Sequence, residues 1–147
     1  MTIIDRLRAG SATSSAEETR ELAAEFAAAL PPDVTLALHG DLGVGKTTFV
    51  QGLARGFLVA EPVTSPTFNL CRFYRGRGEA ARNLGHLDAY RLDDPAQVEA
   101  LLIEDFLGTP YCLAVEWPEK VAGWLPAGAW HIDLGIAPDR RHTVQLR

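Results

Sequence analysis

Val34-Thr35-Leu36-Ala37-Leu38-His39 runs directly into Gly40-Asp41-Leu42-Gly43-Val44-Gly45-Lys46-Thr47, and the reading of this stretch decides the fold. The first six residues form a compact apolar run, as expected of a strand buried on both faces. The next eight match Gly-x-x-x-x-Gly-Lys-Thr in full, and Lys46 opens a segment in which Phe49, Leu53 and Phe57 recur on one helical face. Strand, glycine-rich turn and amphipathic helix in that order are the setting of a phosphate-binding loop. Glycines let successive backbone N–H groups turn inward around phosphate oxygens, and the helix start adds its positive dipole end. Gly43, Val44, Gly45 and Thr48 are therefore candidate nucleotide contacts through the backbone. Lys46 is the candidate cation for the β- and γ-phosphates, and the Thr47 hydroxyl a candidate Mg²⁺ ligand.

Working outward, Ser15 with Glu18 three residues later forms a capping-box signature. Leu22, Phe26 and Leu30 give a helical stripe that Pro31-Pro32 ends, so a helix is predicted over 15–30. A second helix is predicted over 46–58. Beyond it, strands are expected over 68–74 and 84–90, with a polar connection over 76–83 between them. Asp94-Pro95 opens a third predicted helix, with Val98, Leu101, Leu102 and Phe106 as its apolar face. Further strands are expected over 111–115, 130–136 and 143–146. Strands alternate with helices in the middle, whereas no helix long enough for a crossover precedes the last two strands. The expected fold is α/β, a single nucleoside-triphosphatase-like domain over 1–147. Its mixed sheet has a parallel centre flanked by helices, and the last two strands are antiparallel additions.

The bulk numbers suit one globular domain: 147 residues, 47% hydrophobic and 22% charged. Acidic residues outnumber basic ones 19 to 14, so the whole chain carries no electrostatic footprint for nucleic acid. The run Arg72, Arg75, Arg77 and Arg82 reads as a solvated edge. No apolar stretch is long enough to span a bilayer, and Met1 to Arg6 shows no apolar leader core, so a cytoplasmic location is expected. Cys71 and Cys112 lie in apolar segments without a C-x-x-C spacing and read as small buried hydrophobes. The four histidines have no metal-ligand spacing, and Trp124 and Trp130 read as core aromatics.

Hydrolysis needs an acidic group near Mg²⁺ and a means of placing water. Glu116 follows the apolar run Cys112-Leu113-Ala114-Val115, and Asp88 lies in the end of the short strand expected over 84–90. Both fall at carboxyl ends of strands, the edge at which open α/β sheets bind ligands. Thr67, in Ser65-Pro66-Thr67-Phe68, reads either as a γ-phosphate switch residue or as part of a turn that starts a strand. No Asn-Lys-x-Asp motif for guanine is present, which favours ATP.

Gly40 to Thr48, Ser65 to Phe68, His86-Leu87-Asp88-Ala89-Tyr90-Arg91-Leu92 with Asp94-Pro95 after it, Glu116-Trp117-Pro118-Glu119 and Leu125-Pro126 together resemble one family across nearly the whole chain. It is the bacterial ATPase subunit for tRNA threonylcarbamoyladenosine biosynthesis, TsaE. The resemblance implies an ATP- and Mg²⁺-dependent hydrolase acting with two partner subunits. One of these transfers the threonylcarbamoyl group to adenosine 37 of tRNAs reading codons that begin with A. The resemblance also implies Glu116 as the Mg²⁺-side acid, Asp88 as essential for hydrolysis and Thr67 as part of a switch. It further implies Trp117 at the nucleotide or partner surface, Thr19 near the nucleotide, and tRNA contacted only through the partners. Val44, Asn69 and Ala89 depart from the family's usual residues without removing a reactive group. The alternatives are a small-molecule kinase built on the same loop and a nucleotide-dependent binding module without turnover.

Overall fold

The computed structural model describes residues 1–65, 70–78 and 81–147, with Pro95 described by its backbone alone. Seven strands form one sheet: β1 (Ser11–Thr13), β2 (Val34–His39), β3 (Cys71–Arg75), β4 (Asn83–Asp88), β5 (Tyr111–Glu116), β6 (Trp130–Ile136) and β7 (His142–Leu146). Their spatial order is β1-β7-β6-β2-β5-β4-β3. The four central strands β6, β2, β5 and β4 are parallel, and β3, β7 and β1 are attached antiparallel. The mixed sheet with a parallel centre is as expected, with one correction. β6 is not an antiparallel addition but pairs parallel with β2, Leu36 opposite Trp130 and His39 opposite Asp133. The stretch between Glu116 and Trp130 contains only the 3₁₀ turn Pro118–Val121, yet about a dozen residues suffice to return the chain to the start of the sheet.

Helices α1 (Ile3–Ala9), α2 (Ala16–Ala28) and α3 (Lys46–Gly56) cover one face. They bury Leu7, Phe26, Phe49 and Leu53 against Leu36, Leu38 and Ile132. Ser15 caps α2 through the Glu18 N–H, as its spacing predicts. α1 is an element the periodicity did not suggest; Thr2 and Asp5 form its capping box. Among the described residues no helix is long and apolar enough to cross a membrane.

The opposite face carries a smaller core in which Leu87, Leu113 and Val115 meet Val98 and Ile103. Here the single third helix predicted from Asp94 is overturned. The chain forms α4 (Pro95–Glu99), breaks at Leu102 in the left-handed region (φ 53°), and resumes as α5 (Ile103–Phe106). Val98 and Ile103 are the buried anchors, and five residues along a continuous helix would point them about 140° apart. Breaking the helix lets both face the sheet. Leu102 and Phe106, expected on the apolar face, are 49% and 65% exposed.

α2 and α3 approach closely because small residues face each other. A Cβ on Gly52 would lie 2.5 Å from both the Ala23 Cβ and the Arg20 carbonyl oxygen. Gly52→Ala would gain about 1 kcal/mol of helix propensity, but the contact on the Arg20 side is backbone and cannot swing away. The overlap wins, and a net loss of about 1–2 kcal/mol is expected in urea denaturation. A variant as stable as the parent would mean that the two helices separate without strain.

Arg82, read from the sequence as part of a solvated basic edge, is structural. It donates to the Leu30 and Pro31 carbonyls at 3.0 Å each and lies 5.3 Å from the centroid of the Phe57 ring. Trp130 packs on the larger core and Trp124 on the smaller, as expected. Burial pushes both thiols up to about 12, so Cys71 and Cys112 are inert hydrophobes.

Candidate functional site

Topology brings the site residues to one edge. In a parallel set the carboxyl ends coincide, so His39, Asp88 and Glu116 finish side by side, with Leu38 and Asp88 both register partners of Glu116. The antiparallel β7 brings its amino end, His142, to the same edge, with Thr13 of β1 opposite it. A cavity of about 370 Å³ opens there, lined by Gly43, Gly45, Lys46, Thr47, Thr48, Ser65, Asp88, Tyr90, Glu116, Trp117, His142 and Leu42. That volume lies in the small-molecule range.

The loop's backbone explains its glycines. Gly43 and Gly45 have φ of 83° and 98°, a region that side chains disfavour. At Gly40 a Cβ would meet the Leu134 carbonyl oxygen at 2.5 Å and Val44 at 2.7 Å. Val44 itself is buried, and its carbonyl accepts a hydrogen bond from His142 Nδ1 at 3.1 Å. His39 and His131, hydrogen-bonded at 2.8 Å, anchor the strand that feeds the loop. Gly45 is the N-cap of α3 and offers no side chain to its first-turn N–H groups, and no acidic residue sits in that turn. An eleven-residue helix with an uncapped positive end facing a cavity is a fitting seat for phosphate.

Lys46 is 5% exposed. Its ammonium donates to the Gly40 carbonyl at 2.6 Å and lies 3.7 Å from the centroid of the Trp117 ring. Burial draws its pKa down, and Glu116 and Asp88 oppose that shift electrostatically. Trp117 reaches this position because its backbone turns left-handed (φ 55°) at the end of β5; such a residue stores about 1–3 kcal/mol of strain. Its ring also packs against Tyr90, centroids 5.1 Å apart. Asp88 accepts the Tyr90 N–H at 3.0 Å. Burial lifts the Asp88 carboxyl above the usual range, the Tyr90 hydrogen bond works against this, and the neighbouring Glu116 charge adds to it. Glu116, also 5% exposed, meets His86 Nε2 through Oε2.

Lys46, Thr47, Asp88, Glu116 and Trp117 are thus brought together, with Gly43, Gly45 and Thr48 beside them. Thr19 is not among the lining residues. It is buried in α2, its hydroxyl joined to Thr13 at 2.6 Å and donating to the Ser15 carbonyl at 3.3 Å. Thr13, to which it is bonded, is the strand partner of the cavity-lining His142. Thr67 lies outside the described residues. Its segment is flanked by Ser65 at the cavity and by Leu70, whose carbonyl accepts the Asp88 N–H at 2.8 Å. Reading the sequence missed His142, which sits beside a run of arginines and looks like a turn residue, and gave no role to Tyr90 or His86.

A family model described as "Threonylcarbamoyl adenosine biosynthesis protein TsaE" matches residues 13–143. The chain belongs to the TsaE family. A tRNA threonylcarbamoyladenosine biosynthesis protein TsaE from Bacillus subtilis is 40% identical over 132 residues, spanning 90% of this chain and 80% of the relative. The TsaE of Treponema pallidum is 36% identical over 141 residues, spanning 90% and 95%. Among solved structures, one titled "Crystal structure of Bacillus subtilus YdiB" superposes with a TM-score of 0.70 at 30% identity, covering 93% of this chain and 82% of the other. The TsaE match covers the loop and both strand-end acids, so it includes the whole cavity rather than the nucleotide loop alone.

Proposed function

We propose that this chain is a Mg²⁺-dependent ATPase of the cytoplasm. It serves as the accessory subunit of the machinery that adds the threonylcarbamoyl group to adenosine 37 of tRNAs reading codons that begin with A. One observation carries the reading: in a TsaE-family chain, Lys46, Asp88 and Glu116 converge on the uncapped start of α3. The α3 N–H groups and the loop backbone from Gly43 to Thr48 bind the phosphates. Lys46 leaves the Gly40 carbonyl to face the β- and γ-phosphates. Thr47 and Glu116 hold Mg²⁺, which when bound supplies positive charge against the developing negative charge of the phosphate oxygens. Asp88 orients the attacking water. Trp117 closes one side of the site, and Thr67 belongs to the segment that senses the γ-phosphate. The relatives carry names from tRNA modification, which lends no support to the small-molecule kinase.

Acids exceed bases and Arg82 is committed to the fold, so the chain acts on tRNA through two partner subunits. Nucleotide governs that association, because γ-phosphate contacts order a switch segment and hydrolysis releases it. The test combines phosphate release, with and without the partner proteins, with their pull-down in ATP analogue or ADP and filter binding of tRNA to this chain alone. Phosphate release, stronger association with the analogue, and weak tRNA binding are expected. Tight, salt-sensitive tRNA binding by the isolated chain with no nucleotide effect on association would sink the proposal.

A further inference from the structure

Among the candidate site's acids, Glu116 is gripped from within the sheet. His86 and Asp88 lie two residues apart on β4 and share a face, as do Ala114 and Glu116 on β5. The register sets His86 opposite Ala114 and Asp88 opposite Glu116. The small Ala114 side chain leaves the diagonal open, and His86 Nε2 reaches Glu116 Oε2 across it. His86 is 0% exposed, and its Nδ1 has no hydrogen-bond partner among the described residues.

That unpartnered nitrogen assigns the tautomer. A proton on Nδ1 would be a buried donor with no acceptor, whereas a neutral ring with its proton on Nε2 donates it to the carboxylate and leaves no donor orphaned. The ring's single hydrogen bond therefore goes to the carboxylate that faces the loop. Without it, Glu116 is free to turn toward the Lys46 ammonium, with which it already interacts electrostatically, and Oε1 would no longer be held for the metal.

We propose that His86 is a positioning residue. By donating Nε2–H to Oε2 it fixes the Glu116 carboxylate and keeps Oε1 available to Mg²⁺ or a water bound to it. The inference rests on the reading of Glu116 as the Mg²⁺-side acid. Partners that orient a metal-binding carboxylate are typically worth about 10- to 100-fold in metal affinity.

The test measures ADP affinity by calorimetry across a Mg²⁺ series and in EDTA, for the parent, His86→Met and His86→Gln. Methionine keeps much of the ring's bulk without a donor; glutamine restores an N–H donor. His86→Met is expected to need about 10- to 100-fold more Mg²⁺, with affinity in EDTA unchanged, and His86→Gln to recover most of the loss. Equal Mg²⁺ midpoints for the two variants, or an equal loss in EDTA, would show that the ring only fills space and would overturn the inference alone. Mg²⁺-independent ADP binding by the parent would overturn the reading of Glu116 along with it. Nitrogen–proton correlation spectra of the parent's imidazole supply a readout that needs no variant to fold. The proton is expected on Nε2, and the ring signals should move when Mg²⁺ is added to the ADP complex. A proton on Nδ1, or a ring indifferent to Mg²⁺, overturns the inference as well.

Discussion

Lys46→Ala is expected to abolish productive ATP binding while leaving the fold intact. The ammonium is buried at the start of α3, where the loop carbonyl of Gly40 and the Trp117 ring hold it against the cavity. Charge-assisted hydrogen bonds are worth about 1.5–3 kcal/mol each, and in the proposed site Lys46 would face two phosphates. A loss of roughly 100-fold or more in affinity follows. Calorimetry with Mg·ATP measures it, and circular dichroism checks that the helices remain. Parent-like affinity with parent-like turnover would remove the phosphate-binding assignment of the loop.

The two acids are expected to separate in their response to metal. Glu116→Gln keeps size and a hydrogen-bonding oxygen but removes the charge proposed to balance Mg²⁺, so its magnesium midpoint should rise along with a loss of turnover. Asp88→Asn should bind nucleotide and Mg²⁺ nearly as the parent does, and hydrolyse about 100-fold more slowly if water placement is its task. The register argues for distinct roles despite adjacency. Glu116 is held by His86 from within the sheet, whereas Asp88 receives the Tyr90 N–H and is tied through its own N–H to Leu70, at the edge of the segment that contains Thr67. Titrating Mg²⁺ against both variants decides the matter. An unchanged midpoint for Glu116→Gln together with a raised one for Asp88→Asn would reverse the roles.

Legibility tracked how local the deciding physics is. β2, an apolar run, and β6 were read to the residue, and α2 and α3 to within two residues at each end, because capping and i, i+4 spacing act within a turn or two. The third helix failed where Leu101, Leu102 and Ile103 are consecutive apolar residues. Periodicity cannot say which of them faces inward, and the sheet selected Ile103. His86 carried a signal that was passed over: a histidine two residues before a strand-end acid shares its face. His142 carried none, since its partner is the carbonyl of Val44, nearly a hundred residues away.

By itself the sequence determined the phosphate-binding loop, its flanking strand and helix, and the placement of Asp88 and Glu116 at strand ends. Each of these depends on residues within a few positions of one another: glycines where φ is positive, an apolar run for a strand buried on both faces, and a charge at its end. Only the tertiary structure decided that β4 lies beside β5 in the register that sets Asp88 against Glu116, and that His86 grips the Glu116 carboxylate from below. It also decided that β6 runs parallel to β2, that Thr19 is hydrogen-bonded to Thr13, and that Arg82 holds the Leu30 and Pro31 carbonyls beyond the end of α2. Hydrogen bonds and burial between residues far apart in the chain follow from which strands become neighbours. Strand order is settled by the packing of the whole sheet, so no local pattern encodes it.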